Sequence, residues 1–379
     1  MAKCYLCQVD ITPENETEEH IILNACGGRL KSKDLLCKTH NSNFGDTFDV
    51  ELAKQTNDLA NLLLIKRHRR EPQAIKGKLE STGEDYYLQY GGKPMMTKPI
   101  INEEVDGKKI QLSITARDEK EMRTILEGLK RKRYPELDVE KSMETANYRN
   151  EYFDEPIHFQ STIGGKEVFK SITKSAINYY ILKGGDRKYI VDLLPYLQNE
   201  KDLEIVWMHF PDEIIYTPTE NEVSHIIRVI ANPDDKILYA YIELFNIHNF
   251  IVKLNDNYDG ISMDETYAFD LLEIKELVRT IPFNYTRGQL LELFTNKDGK
   301  PFEKVQRRFE RVLSIAMKRQ SSNHNQELIS RAINNSLGKH PEGVPITKEM
   351  IDELVRETMK EITPMILHQF KRRNKRDDE

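Results

Sequence analysis

Four side chains near the start of the chain have the types and spacing of a zinc site. Cys4 and Cys7 form one close pair, and Cys37 and His40 form a second pair after 29 intervening residues. Each pair fits a tight turn, and four such ligands make a closed tetrahedral site. One ion can then join two segments that have too little apolar surface to pack alone. The pattern predicts a structural zinc ion, whereas the remaining cysteine, Cys26, is expected to be a small buried residue.

Side chains suited to phosphodiester hydrolysis lie inside and directly after this zinc loop. Glu18, Glu19 and His20 are consecutive, and Asn41 follows the last zinc ligand. Hydrolysis needs a base to activate water and a divalent cation to offset charge on the phosphate. A neutral imidazole suits the first task near neutral pH, and carboxylate and amide oxygens suit Mg²⁺ or Mn²⁺. We therefore predict a hydrolytic site here.

Non-catalytic explanations exist for the two central residues of this site. A single histidine on a strand more often packs than reacts, which is the alternative for His20. Asn41 could instead cap a helix, because Asn is favoured at that position. Capping and catalysis are compatible, since a helix N-terminus also accepts a phosphate.

The order of these motifs resembles the HNH endonuclease family and its ββα-metal fold. The motifs are Cys-x2-Cys, Glu-His-Ile-Ile, Gly-Gly, Leu-Leu-Cys-x2-His-Asn and Phe-Gly, all within about the first 60 residues. The resemblance implies that His20 is the general base and that Glu19 and Asn41 bind the catalytic Mg²⁺ or Mn²⁺. It also implies that the two close pairs bind the structural zinc.

Three positions differ from the usual pattern of the family. Glu19 stands where the family often has Asp, so Glu18 remains an alternative metal ligand. The middle Asn of the family falls near Ser32 or Lys33, and no Asn is present there. His40 stands where Cys is commoner, which zinc tolerates.

Two basic clusters could bind DNA phosphates and make binding depend on salt. The first follows the predicted helix of the zinc finger, and we predict that it contacts DNA through Lys66, Arg67, Arg69 and Arg70. The second, residues 130–133, ends a later predicted helix. For this second cluster the favoured interpretation is a helix end stabilised by cations.

Composition limits the classes of protein that the chain can be. Hydrophobic residues make up 39% and charged residues 31%, which is typical of a globular protein rather than a disordered one. The net charge of −6 gives no overall basic field, so affinity for DNA must be local. No run of about 18 apolar residues and no signal peptide is present, so we expect a cytoplasmic protein without membrane contacts.

The hydrophobic patterns predict an α+β fold. We expect helices near 50–65, 118–132, 166–183 and from about 288 onward, and strands within 85–115 and 205–245. The predicted segments are a nuclease finger (1–65), a small α+β segment that could belong to the nuclease domain (66–150), an α+β domain of unassigned role (151–280) and a helical C-terminal region (281–379).

The predicted function is that of a DNA endonuclease dependent on Mg²⁺ or Mn²⁺. By analogy alone, a nuclease finger joined to a large unassigned region suggests a regulated effector, such as a phage-defence or restriction-type enzyme, with an activating ligand or partner protein. A homodimer would supply two active sites for cutting both strands. The alternatives are a non-catalytic zinc finger that binds nucleic acid or protein, and a structural zinc staple in an interaction scaffold. A binding module has no need for His20 and Asn41 to face one cation.

Overall fold

The fold consists of two compact units. The computed structural model describes residues 2–68, 70–106, 109–147, 152–153, 155–210, 215–281, 284–295 and 301–377. The first unit comprises Met1–Gln73 and Ser161–Gln320, and the second comprises Ala74–Gln160 and Ser321–Glu379. Mixed helices and sheets, with a helical C-terminal part, confirm the predicted α+β fold class. The division into four segments stays a prediction, since compactness does not test it.

The N-terminal part of the first unit has the order strand, strand, helix. Its elements are β1 (Glu19–His20), β2 (Lys31–Ser32), α1 (Lys38–Phe44), α2 (Val50–Gln55) and α3 (Asn57–Leu62). Strands β1 and β2 pair antiparallel, with Glu19 opposite Ser32. A π-helical turn, Gly45–Asp49, joins α1 directly to α2. These elements form the predicted finger and confirm the helix predicted near 50–65.

Two glycines close the connection between β1 and β2. Gly27 has a φ of 96°, in the left-handed region that favours glycine, and a Cβ there would lie 2.8 Å from Ile65 and 2.9 Å from Leu271. A Cβ on Gly28 would lie only 1.9 Å from the carbonyl oxygen of Ile22. The loop therefore requires both glycines, and it packs closely against the later part of the same unit.

The second unit contains the small sheets and charged helix predicted from the sequence. Its N-terminal elements are β3 (Ile75–Leu79), β4 (Asp85–Gln89), β5 (Lys93–Met96), β6 (Ile100–Asp106), β7 (Lys109–Thr115), α4 (Glu119–Lys132), α5 (Val139–Glu144) and β8 (Ile157–His158). The strands form a sheet of order β5-β4-β3-β8 and a β6-β7 hairpin. Residues 130–132 lie in the last turn of α4, as expected for cations that stabilise a helix end.

A six-stranded antiparallel sheet dominates the rest of the first unit. The elements from residue 161 onward are α6 (Lys166–Leu182), α7 (Leu194–Leu197), β9 (Val206–Met208), β10 (Ser224–Asn232), β11 (Ile237–Leu244), β12 (His248–Asn255), β13 (Met263–Asp270), β14 (Lys275–Leu277), α8 (Arg287–Thr295) and α9 (Pro301–Ser336). The last of these helices continues past Gln320, where the second unit begins again. The strand order is β14-β13-β10-β11-β12-β9. Strands β10 and β11 are buried on both faces, which explains their nearly continuous apolar sequence.

Helix α6 lies between the finger and the sheet. It contacts the π-helical turn and α2 on one side and strands β9 to β12 on the other. Twelve of its 17 residues are buried, as an interior helix requires. A finger residue and a sheet residue also meet directly, because the Nε2 of His225 donates to the carbonyl oxygen of Cys26 at 2.9 Å. The neighbouring residue Ile226 faces away, into an apolar core with Ile281.

The described C-terminal residues are helical, as predicted, with α9 followed by α10 (Lys348–Asp377). None of the helices in the described ranges is long and apolar enough to cross a membrane.

Candidate zinc centre and active site

The four predicted zinc ligands lie together in the finger. Cys4 and Cys7 occupy a tight turn, closed by a 2.9 Å hydrogen bond from the Gln8 amide to the Cys4 carbonyl oxygen. Cys37 is the N-cap residue of α1, and His40 lies in its first turn. The His40 Nδ1 atom lies 3.2 Å from the Cys37 sulfur and 3.6 Å from the Cys4 sulfur.

These distances suit one tetrahedral zinc ion. The four candidate ligand atoms all lie within 4.8 Å of one another. Zinc bonds of 2.0–2.3 Å would place tetrahedral ligands roughly 3.6–3.8 Å apart, so the cluster could hold zinc after small adjustments. Cys26 lies outside the cluster with its thiol 3.2 Å from the Thr56 hydroxyl, and burial raises its pKa to about 11. It is a small buried residue, as predicted.

The candidate base His20 ends β1 beside the zinc cluster. Its Nε2 atom is buried and has no hydrogen-bond partner among the residues that the structure describes. Burial, followed by the nearby charges of His68 and Lys31, lowers the pKa of His20 to about 4. The imidazole is therefore neutral near pH 7, and Nε2 can accept a proton.

Asn41 approaches the β1 segment from α1. Its Nδ2 atom donates to the Thr17 hydroxyl at 3.1 Å and to the Glu18 carbonyl oxygen at 3.4 Å. Because the amide nitrogen makes both contacts, Oδ1 is the atom left for another partner. The alternative in which Asn41 caps the helix is wrong, because Cys37 occupies that position.

The two glutamates before His20 have opposite environments. Glu18 is exposed, and its carboxylate pairs with Lys31 at 2.7 Å. Glu19 is only 3% exposed. This alternation follows from the extended backbone, which turns successive side chains to opposite faces. The Oε1 atom of Glu19 accepts from Asn178 Nδ2 at 2.8 Å and lies 2.6 Å from Lys174 Nζ.

Glu19 thus belongs to a buried group that joins the finger to α6. We call this group the Lys174 cluster, and its members are Tyr5, Glu19, Asp49, Ser171, Lys174 and Asn178. Lys174 Nζ lies 2.5 Å from the Asp49 carboxylate, and the Ser171 hydroxyl donates to the same carboxylate at 2.6 Å. Burial alone would lower the pKa of Lys174, but the charges of Asp49 and Glu19 raise it overall. Lys174 is therefore a buried cation between two carboxylates.

Two polar atoms of the Lys174 cluster are unsatisfied. The Tyr5 hydroxyl and the Asn178 Oδ1 atom are buried, and neither has a hydrogen-bond partner within the described part of the chain. Buried polar atoms in folded proteins are normally paired. The Tyr5 hydroxyl and Asn178 Oδ1 are therefore places where a water or another small polar partner can bind.

The first predicted DNA-binding segment folds back over the finger. Its backbone is fixed by hydrogen bonds from Arg29 to the Lys66 carbonyl oxygen at 2.6 Å and from the His68 amide to Asn24 Oδ1 at 3.1 Å. The His68 ring lies edge-on to His20, with ring centroids 5.6 Å apart.

The four predicted DNA-contacting residues of this segment have different surroundings. Lys66 and Arg70 are exposed, whereas Arg67 is partly buried and contacts Asn57 Oδ1 at 3.4 Å. Arg69 lies outside the described residues.

A second buried polar group lies on the face of the sheet that points away from the finger. We call it the Glu222 cluster, and its members are Tyr216, Glu222, Ser224, Tyr241, Glu243, Asn246 and Arg279. Glu222 accepts hydrogen bonds from Tyr216 at 2.7 Å and Ser224 at 2.9 Å, and it pairs with Arg279 at 3.2 Å. Glu243 accepts from Tyr241 at 2.5 Å and Asn246 at 2.6 Å. Each carboxylate is therefore satisfied by neighbouring side chains.

The sequence interpretation did not single out several residues that contact the finger. Lys174 and Asn178 lie in the helix expected near 166–183, and His68 lies within the first basic cluster. Arg187 also contacts the zinc turn, since its Nε donates to the Tyr5 carbonyl oxygen at 2.5 Å. The spacing of Ser171, Lys174 and Asn178, three and four residues apart along one face of the helix, was the available signal.

Comparison with known proteins identifies the finger but not the rest of the chain. Residues 4–57 match the family model described as HNH endonuclease. Neither the curated proteins nor the solved structures gave a match. The matched segment contains the four candidate zinc ligands together with Glu19, His20 and Asn41. The match falls on the motifs that carry the resemblance to this family.

Proposed function

We propose that this protein is an endonuclease that hydrolyses phosphodiester bonds in DNA with a catalytic Mg²⁺ or Mn²⁺ ion and a structural zinc ion. The main support is the unpartnered Nε2 atom of His20 inside a segment that matches the HNH endonuclease family. A neutral imidazole in such a place suits a general base.

In the proposed reaction His20 Nε2 takes a proton from a water molecule as the water oxygen bonds to phosphorus. The bond between phosphorus and the leaving sugar oxygen breaks, and that oxygen takes a proton from solvent. Glu19 and Asn41 offer carboxylate and amide oxygens, the ligand types that Mg²⁺ and Mn²⁺ prefer. When bound, the divalent ion would offset negative charge on the phosphate and the leaving oxygen.

DNA would be held by the basic segment that crosses the finger. Lys66 and Arg70 are exposed, and the backbone of the segment is fixed close to His20. Phosphate contacts from Lys66, Arg67, Arg69 and Arg70 would orient the duplex and make binding weaken as salt increases.

The wider context belongs to the same proposal. A cytoplasmic, regulated effector of the phage-defence or restriction type, with an activating ligand or partner, would give the large region outside residues 4–57 a role. A homodimer would bring two sites to one duplex. Sedimentation velocity with and without DNA would test the dimer.

The second candidate is a non-catalytic zinc module that binds nucleic acid or protein. The observation that favours it is the burial of Glu19, whose charge is already paired with Lys174 at 2.6 Å. In that case Glu19 would only connect the finger to α6, and no divalent ion would bind.

A plasmid-nicking assay separates the two candidates. Zinc-loaded protein is incubated with supercoiled DNA and Mg²⁺, Mn²⁺ or EDTA, beside His20→Ala and the matched control His158→Ala, an exposed histidine of the second unit. The nuclease proposal predicts metal-dependent nicking that falls about 10²–10⁴-fold in His20→Ala and persists in the control. DNA binding without nicking by any of the three proteins would support the binding module instead.

A further inference from the structure

We propose that Lys174 and Asn178 of α6 are positioning residues for Glu19, so that the active site extends beyond the HNH segment. This inference rests on the proposed function. The family match ends at residue 57, whereas α6 begins at Lys166. A part of the chain outside the matched segment would therefore complete the nuclease site.

Two groups of α6 hold the same oxygen of the Glu19 carboxylate. Asn178 Nδ2 donates to Oε1 at 2.8 Å, and the closest approach of Lys174 Nζ is to the same atom at 2.6 Å. These two contacts restrict the orientation of the carboxylate, which is the group proposed to bind the catalytic cation.

The anchoring groups are themselves rigidly held. Lys174, Asn178 and Ser171 are fully buried, and Lys174 also contacts the Asp49 carboxylate at 2.5 Å. Asp49 is the last residue of the π-helical turn of the finger. Such turns are rare in proteins overall, but where they occur they are often at functional sites. The cluster therefore fixes Glu19 against both the finger helix and α6.

The proposed ligand atoms are of the types that a hard divalent cation prefers. Glu19 and Asn41 provide a carboxylate oxygen and an amide oxygen, and the Asn41 nitrogen is already occupied by Thr17 and the Glu18 backbone. Ligating carboxylates are usually oriented by further hydrogen bonds, and loss of such a partner lowers metal affinity about 10–100-fold. Lys174 and Asn178 have the contacts of such partners.

The test compares Asn178→Ala with Thr173→Ala in the full-length, zinc-saturated protein. Both residues are fully buried in α6, but Asn178 donates to Glu19 whereas the Thr173 hydroxyl donates to the carbonyl oxygen of Phe169, outside the Lys174 cluster. Calorimetric titration with Mn²⁺ measures binding directly, and plasmid nicking is measured at several Mn²⁺ concentrations. We expect about 10-fold or greater weakening of Mn²⁺ binding in Asn178→Ala, nicking partly restored by excess Mn²⁺, and almost no change in Thr173→Ala.

The outcomes distinguish this inference from the proposed function. Equal Mn²⁺ affinity in Asn178→Ala, Thr173→Ala and the wild type, with wild-type nicking intact, would overturn the positioning role alone. Absence of both Mn²⁺ binding and nicking in the wild type would overturn the proposed function and this inference with it. Lys174→Met, which removes the other group that holds Glu19, is a second variant for the same two measurements. If it does not fold, the Mn²⁺ affinity of Asn178→Ala decides the question.

Discussion

The Lys174 cluster and the Glu222 cluster are two buried polar groups of the same unit, and they differ in how completely they are satisfied. Both contain two acidic side chains and a basic one. In the Glu222 cluster each carboxylate accepts hydrogen bonds from at least two side chains. In the Lys174 cluster the Tyr5 hydroxyl and Asn178 Oδ1 have no such partner among the described residues. A closed network stabilises a fold, whereas unpaired buried atoms indicate a site for something further.

The clusters also differ in what they join. The Glu222 cluster links neighbouring strands, the segment before them and Arg279, all within one stretch of chain. The Lys174 cluster links Glu19 and Asp49 to residues more than 120 positions later. Tertiary packing of α6 therefore sets the surroundings of Glu19 and Asp49, which the finger alone does not determine.

Zinc removal should have the largest effect, and it should disturb the region of the Lys174 cluster while leaving the region of the Glu222 cluster folded. Structural zinc contributes about 10–16 kcal/mol in isolated zinc fingers, and a zinc ion bound by the four candidate ligands would hold the segment that carries Tyr5 and Glu19. We expect a chelator to remove hydrogen-exchange protection from residues 2–44 while β10 and β11 remain protected. Cys37→Ser should behave like the chelated protein, and Cys26→Ala should not. Equal loss of protection in the finger and in β10 would contradict this separation.

Loss of one buried cation should have the next largest effect. Lys174→Met leaves two buried carboxylates without their counter-charge, which typically costs about 3–5 kcal/mol of unfolding free energy. Lys170 is the matched control, since it is equally buried one turn earlier in α6 but pairs with the partly exposed Glu167. We expect Lys170→Met to cost about 1–2 kcal/mol in the same urea titration. Equal losses of unfolding free energy in the two variants would mean that the charge interactions of Lys174 are no stronger than those of Lys170.

The smallest predicted effect concerns His225, which lies between the two clusters. Its Nε2 donates to the Cys26 carbonyl oxygen, its Nδ1 accepts from the Phe245 amide, and burial lowers its pKa to about 4. Between pH 6.5 and pH 4 the unfolded chain binds a proton at this residue and the folded chain does not. Stability therefore decreases as the pH falls through this range, by about 3 kcal/mol.

The variant His225→Gln keeps a donor and an acceptor but does not titrate. Urea unfolding at pH 7 and pH 5 should show a weaker pH dependence in this variant than in the wild type. The same slope in both proteins would show that other groups cause the acid sensitivity.

The sequence predicted the parts of the site that depend on local spacing. Zinc ligands come in close pairs, so Cys4, Cys7, Cys37 and His40 could be recognised without a fold. Helices and strands outside the finger were also predicted from local hydrophobic patterns, whereas the ββα order was implied by the family resemblance.

The remaining parts of the site depend on contacts between distant segments. Nothing near Glu19 indicates that Lys174 and Asn178 will contact it, because that contact exists only once α6 packs between the finger and the sheet. His68 was visible as part of a basic run, but its position beside His20 depends on the path of the chain across Asn24. Long-range packing of this kind cannot be deduced from the pattern of one segment.

The most direct test of the whole account is the nicking rate of Glu19→Gln compared with that of Glu243→Gln. The two substitutions remove one charge from a buried glutamate in each cluster, and both proteins are assayed at matched zinc content with Mn²⁺. We predict that Glu19→Gln lowers the rate at least about 100-fold, because the metal loses a ligand, while Glu243→Gln cuts DNA like the wild type. Equal rates for the two variants would contradict the assignment of the active site to the Lys174 side of the sheet.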